Sequence, residues 1–129
     1  MTDEIKVKAP PSERRRYPRF NAPERALVAV NGDDYGLPYH LIDISEGGMA
    51  FRYLNENPLA FTDSQMDIYI NRDLYVGRLP ATVVADFKSA GGLISRRRCC
   101  VQFGTLTPAQ QTQLQAFIQG HALVAQPSY

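Results

Sequence analysis

The segment Arg14-Arg15-Arg16-Tyr17-Pro18-Arg19-Phe20 places four arginines within seven residues. A guanidinium can donate two parallel hydrogen bonds to guanine O6 and N7, stack on a base, or grip phosphate through charge-assisted bonds. A second set follows at Asp43-Ile44-Ser45-Glu46-Gly47-Gly48. An aspartate accepts from the N1–H and amino edge of guanine, and a serine hydroxyl donates to phosphate or to a base acceptor. Gly47 and Gly48 permit positive φ and a close approach of backbone N–H groups. Arg15 and Arg19, with Arg14 and Arg16 beside them, together with Asp43, Ser45, Gly47 and Gly48, therefore suit a compact anion that carries both guanine and phosphate.

The rest of the chain sharpens that reading. Among 129 residues, 14 Lys and Arg face 13 Asp and Glu, a net charge of +1. The arginines are a local concentration and not part of a basic surface. A protein that coats nucleic acid must neutralise many phosphates and is strongly basic, so general nucleic-acid binding is disfavoured. The length fits one domain, and 44% hydrophobic residues supply one core. No apolar run has the roughly 18 residues of a membrane helix. The first residues, MTDEIKVKAPPSE, have no apolar centre and do not read as a secretory signal, which points to the cytoplasm. Cys99 and Cys100 are adjacent, so a strand sends them to opposite faces. They are expected to stay free, with no metal site.

The elements that must position these residues are short strands split by turn signals. Residues 1–12 read as a flexible tail, and Pro18 keeps the 14–19 arm extended or turned. Strands are expected over 25–31, 39–45, 49–53, 66–71, 74–88 and 93–103, with a polar loop at 54–65. Alternation places Ile42 and Ile44 inward. Asp43 and Ser45 lie outward, ~6.6 Å apart along the strand. Met49, Phe51 and Tyr53 share a face, as do Met66, Ile68 and Ile70, and as do Ala81, Val83, Ala85 and Phe87. A helix is expected over 107–119: Thr107 as N-cap, Pro108 in the first turn, Gln110 completing a capping box, Leu114, Phe117 and Ile118 as the apolar stripe, and Gly120 as the stop. Residues 121–129 form a tail. The fold class is mainly β: a six-stranded antiparallel barrel with a C-terminal α-helix.

With these residues in place, the chain resembles the PilZ domain, the bacterial receptor module for cyclic di-GMP. The family pattern R-x-x-x-R is matched by Arg15 and Arg19, and D/N-x-S-x-x-G by Asp43, Ser45 and Gly48. The resemblance covers about Glu13 to Ile118, giving a domain of residues 13–120 with its barrel at 25–103. Cys100-Val101-Gln102-Phe103 stands where the family often has G-x-x-F, without that glycine. The resemblance implies that Arg15 and Arg19 bind guanine edges and phosphates, that Arg14 helps, that Asp43 and Ser45 hold a guanine, and that Gly48 shapes the turn. It also implies an arm that closes over the ligand, and a non-enzymatic receptor or adaptor without cofactor. Such a receptor would regulate a protein partner in motility, attachment or exopolysaccharide production.

Other readings stand beside it. The arginine arm could be a solvated tail or part of a barrel that binds single-stranded nucleic acid, and the domain could be a docking module without ligand. Arg96, Arg97 and Arg98 read first as a solvated strand, with an extension of the anion surface as the alternative. Asp43 and Ser45 could serve only a local turn. His40 and His121 read as surface residues. His40, three positions from Asp43, is expected on the opposite face, so His40, Asp43 and Ser45 make no catalytic triad.

Overall fold

The apolar faces of the predicted strands close on one another as a barrel. The computed structural model describes residues 17–31, 39–60, 62–71, 73–89 and 92–121. Its strands are β1 (Phe20–Asn21), β2 (Ala26–Val30), β3 (Tyr39–Ile44), β4 (Gly48–Leu54), β5 (Asp63–Ile70), β6 (Asp73–Lys88) and β7 (Arg96–Phe103), followed by helix α1 (Pro108–His121). All pairings are antiparallel. The order β3-β2-β5-β6-β7-β4 returns to β3, so six strands close, and β1 adds to β3 as a seventh. The mainly β, six-stranded barrel with its C-terminal helix is as expected. Closure leaves the barrel strands no free edges.

The core is a continuous cluster that includes Val28, Leu41, Ile44, Met49, Phe51, Met66, Ile68, Val76, Leu79, Cys99 and Val101. Met49, Phe51 and Tyr53 face inward as alternation requires, as do Met66, Ile68 and Ile70. Leu114 and Phe117 bring α1 against the same core, with Ile118 at its margin. The start of α1 is a reciprocal capping box: Gln110 N donates to Thr107 Oγ1 at 3.1 Å, and Thr107 N donates to Gln110 Oε1 at 2.9 Å. Gly120 does not end the helix, which runs to His121. There the imidazole packs edge-on against Tyr75. β5 begins at Asp63 and β7 only at Arg96, so both differ by three residues from the expected starts at 66 and 93.

Two bulges overturn the simple alternation. In β3, Leu41 pairs with Phe51 while Asp43 pairs with Ala50, so Ile42 is an extra residue. Leu41 and Ile44 enter the core, and Ile42 does not. In β6, Val83 pairs with Val101 while Ala85 pairs with Cys100, so Val84 is extra. Asp86 therefore turns inward and Phe87 outward, against the expectation for Phe87. One inserted residue shifts the two-residue period by one and exchanges the faces beyond it.

The inward turn of Asp86 creates a buried polar knot at one barrel end. Its carboxylate accepts from Tyr53 Oη at 2.6 Å, Leu59 N at 2.9 Å and Arg97 Nε at 2.8 Å. Arg97 also donates to the carbonyls of Asp86 and Glu56. Burial and the Asp86 carboxylate push the Tyr53 phenol above its ordinary range, so the hydroxyl stays a donor. Arg97 is only 6% exposed, which corrects the reading of residues 96–98 as one solvated run.

A third irregularity joins α1 to the sheet. Arg78 has a φ of 58° beside a β5–β6 register shift. Its N–H donates to Asp67 Oδ1 at 2.7 Å, while Gln110 Nε2 donates to the carbonyls of Gly77 and Arg78, each at 2.9 Å. One glutamine thus caps the helix and satisfies the bulge. Gln110→Ala is expected to lower unfolding stability by about 2 kcal/mol in a denaturant titration, the sum of a lost cap and carbonyls left without their donor. A loss within about 0.5 kcal/mol would mean that water replaces both contacts.

Candidate functional site

The site is built on the outer face of β3 where the chain turns into β4. Asp43 lies beyond the Ile42 bulge and faces away from the core, yet it is only 1% exposed. It is therefore not the open polar position that alternation alone suggests. Arg98 Nη2 donates to Asp43 Oδ2 at 3.1 Å, and Arg19 Nη1 lies 3.9 Å from Oδ1. A buried carboxylate needs such partners, because desolvation without them disfavours its charge.

β1 explains the position of Arg19. Phe20 pairs with Ile44 and Asn21 with Asp43, which brings the residue before Phe20 over the end of β3. Two residues leave no periodic signal, so this strand was not legible in the sequence. Arg14, Arg15 and Arg16 lie outside the described residues. Of the R-x-x-x-R pair, Arg19 is the member that the structure places against Asp43.

Ser45, Gly47 and Gly48 form the turn beside this carboxylate. Ser45 Oγ accepts from Gly47 N at 3.1 Å and donates to the Gly48 carbonyl at 3.3 Å. Ser45 N donates to the same carbonyl at 2.8 Å. The hydroxyl is a turn-forming group, as a local serine turn predicts, and its edge lines a cavity of about 600 Å³. The glycines are required for space and not for backbone freedom: among the described glycines only Gly92 has a positive φ. A Cβ on Gly48 would lie 2.3 Å from the Val101 carbonyl oxygen, and one on Gly47 would lie 2.8 Å from the Tyr17 ring. Gly48 lets β4 approach β7, and Gly47 gives the Tyr17 ring a bare backbone to rest on.

The cavity runs from Tyr17, Arg19 and Ser45 across Gly47 and Gly48 to Cys100, Gln102 and α1 at Gln111. Its volume is that of a small-ligand site. The arrangement offers the Arg19 cation at one side, a turn with close backbone, and an aromatic ring. Cys99 and Cys100 are free, on opposite faces. Burial pushes the Cys99 thiol up to about 12, while Cys100 lines the cavity. The described residues contain no cluster of metal-ligating side chains, and none of their helices is long and apolar enough to cross a membrane.

Sequence reasoning missed Arg98 as a partner of Asp43. The available signal was the shared outward face of Arg96 and Arg98, but the strand that faces them cannot be read from spacing. It also misplaced His40. The Ile42 bulge puts His40, paired with Arg52, on the same outer face as Asp43. No triad results, because Ser45 Oγ is committed to its turn.

A family model described as PilZ domain matches residues 13–120. Among solved structures, the PilZ domain with c-di-GMP of YcgR from Escherichia coli is similar at a TM-score of 0.63 and 23% identity, covering 84% of this chain and 91% of that one. YcgR from Escherichia coli in complex with c-di-GMP gives a TM-score of 0.61 at 24% identity, over 82% of this chain and 45% of that one. The Bacillus subtilis inhibitor of motility MotI/DgrA gives 0.54 at 19% identity, over 81% and 48%. The chain thus spans about half the length of the latter two. No curated protein sequence matches it. At these identities the structural likeness establishes the fold.

Two glycine substitutions should separate the roles in the turn. Gly48→Ala is expected to lower stability by about 2 kcal/mol or more, since Cβ meets backbone that cannot rotate away. Gly47→Ala should cost under about 1 kcal/mol, because Tyr17 can swing aside. Paired thermal melts test this, and equal losses would refute the assignment. For Arg98→Ala, about 1–3 kcal/mol of stability should be lost as Asp43 loses its 3.1 Å hydrogen bond from Arg98. Asp43→Asn in the same background should restore part of that loss.

Proposed function

The chain belongs to the PilZ domain family, and from that membership we propose that it is a receptor for cyclic di-GMP that acts on a protein partner. The observation that carries the proposal is the Asp43 carboxylate, buried on the outer barrel face under Arg19 and Arg98 and beside the Ser45–Gly48 turn. A carboxylate in that position accepts from the N1–H and amino group of a guanine. Arg19 is placed to engage the base or a phosphate, and Arg15 and Arg14, on the segment leading to it, supply further charge-assisted donors. Ser45 holds the turn, and Gly47 and Gly48 keep side chains out of the ligand's approach. Tyr17 lies on Gly47 and offers a face for stacking.

The reading is supported by the solved PilZ domain of YcgR, whose description includes c-di-GMP. Ligand binding would order the arginine arm against the barrel, and the ordering entropy must be offset by the new contacts. The ligand then acts as a switch, changing the surface shown to a partner. Regulation of motility, attachment or exopolysaccharide production belongs to the same proposal, as does action in the cytoplasm without catalysis.

Calorimetric titration of cyclic di-GMP, with GMP and a single-stranded oligonucleotide as controls, tests it. The dinucleotide should bind selectively, and Arg15→Ala and Asp43→Ala should each weaken binding by about 10- to 100-fold, the loss of a charge-assisted hydrogen bond. Binding that survives both substitutions would refute the site. Absence of any dinucleotide binding would leave a docking barrel.

A further inference from the structure

The outer face beyond Asp43 carries a second charged feature, which shares only Arg98 with the nucleotide site. Register places His40 opposite Arg52, Arg52 opposite Arg98, and Arg98 opposite Phe87. These four residues form one rung across β3, β4, β7 and β6. The next rung pairs Leu54 with Arg96. Neighbouring strands lie about 4.8 Å apart, so three basic groups stand side by side where like charges disfavour the sheet.

Internal counter-ions relieve this row only at Arg98 among the described residues. Asp43 is taken by Arg98 and Arg19, Asp86 by Arg97, and Glu56 by Lys88 and Ser95. The side chains of Arg52 and Arg96 are exposed and have no ion pair or hydrogen bond among the described residues. At the end of the rung, His40 Nδ1 is buried with no hydrogen-bond partner among the described residues. Around these cations lie exposed apolar side chains: Phe87 at 48%, Val84 at 59% and Leu54 at 38%. Val84 also lines the cavity, so this face and the candidate nucleotide site share a border.

We propose that the His40–Arg52–Arg98–Phe87 rung, with Arg96 and Leu54, is a docking surface for an acidic, apolar-containing segment of a partner protein. Charge complementarity selects the occupant. Carboxylates set between apolar side chains would neutralise Arg52 and Arg96 and cover Phe87 and Leu54 in one contact. One feature favours protein over an anionic lipid surface: the cations stand at fixed strand intervals on a sheet face, where discrete carboxylates can meet them singly. The shared border through Arg98, which holds Asp43, links the two sites: a ligand that engages Asp43 would alter the partner of Arg98 within the docking face.

Fluorescence anisotropy with a labelled extended peptide of alternating glutamate and leucine tests the surface. Its controls are the lysine–leucine counterpart and vesicles of phosphatidylglycerol and phosphatidylcholine. The glutamate peptide should bind and the lysine peptide should not. The double variant Arg52→Glu/Arg96→Glu should weaken binding by about tenfold or more through like-charge contact. Phe87→Ser should weaken it with the charges intact. A thermal melt equal to that of the parent shows that the variants fold. The titration needs no nucleotide, so its result is independent of cyclic di-GMP binding. No binding of the glutamate peptide, equal binding by parent and double variant, or arginine-dependent binding to the vesicles in preference to the peptide would overturn the proposal.

Discussion

Pairing β3 with β4 closes the barrel, and closure demands that β3 serve two surfaces at once. Its inner face must fill the core, and its outer face must carry the carboxylate of the candidate site. A regular strand with the order Leu41-Ile42-Asp43-Ile44 would put Leu41 and Asp43 on one side. That would either bury the carboxylate among hydrocarbon or expose the leucine. The extra residue at Ile42 resolves the conflict, because it lets Leu41 and Ile44 both enter the core while Asp43 turns out. The same device at Val84 sends Asp86 in and Phe87 out. Two insertions thus decide where both buried carboxylates lie.

Those carboxylates organise opposite needs. Asp86 fixes its end of the barrel by holding Tyr53, Arg97 and the backbone of Leu59. It is fully engaged and suits a structural role. Asp43 is held by Arg98 at hydrogen-bond distance and by Arg19 at a longer one. Of these two partners, Arg19 lines the cavity. Both carboxylates are nearly hidden from water, and they differ in the partners that hold them.

The turn from β3 to β4 combines a local hydrogen-bonded closure with two close approaches. Ser45 closes the turn through its own hydroxyl, Gly48 admits β7 to within touching distance of the backbone, and Gly47 supports Tyr17. The lack of a side chain at two successive positions permits both a tight strand approach at Gly48 and the seating of the Tyr17 ring at Gly47. The role of each glycine is steric, and neither needs a left-handed backbone.

Much of this protein is legible in its residues alone. Alternation marks the six barrel strands, since burial of one sheet face imposes a two-residue period, and the Thr107–Gln110 capping box marks the helix because its bonds are local. The family pattern likewise rests on short spacings around Arg15, Arg19, Asp43, Ser45 and Gly48. What local spacing cannot encode is which distant residue completes a contact. Arg98 reaches Asp43 across 55 positions, and Arg97 finds Asp86 on another strand, because barrel closure sets their strand between β4 and β6. The bulges are equally silent in sequence: an inserted residue in a strand resembles its neighbours, and only pairing with a partner strand reveals that one residue is extra. The residue types and their order thus determined the barrel and the chemistry offered to a ligand. The tertiary pairing decided which charges meet, which are buried and which remain for a partner.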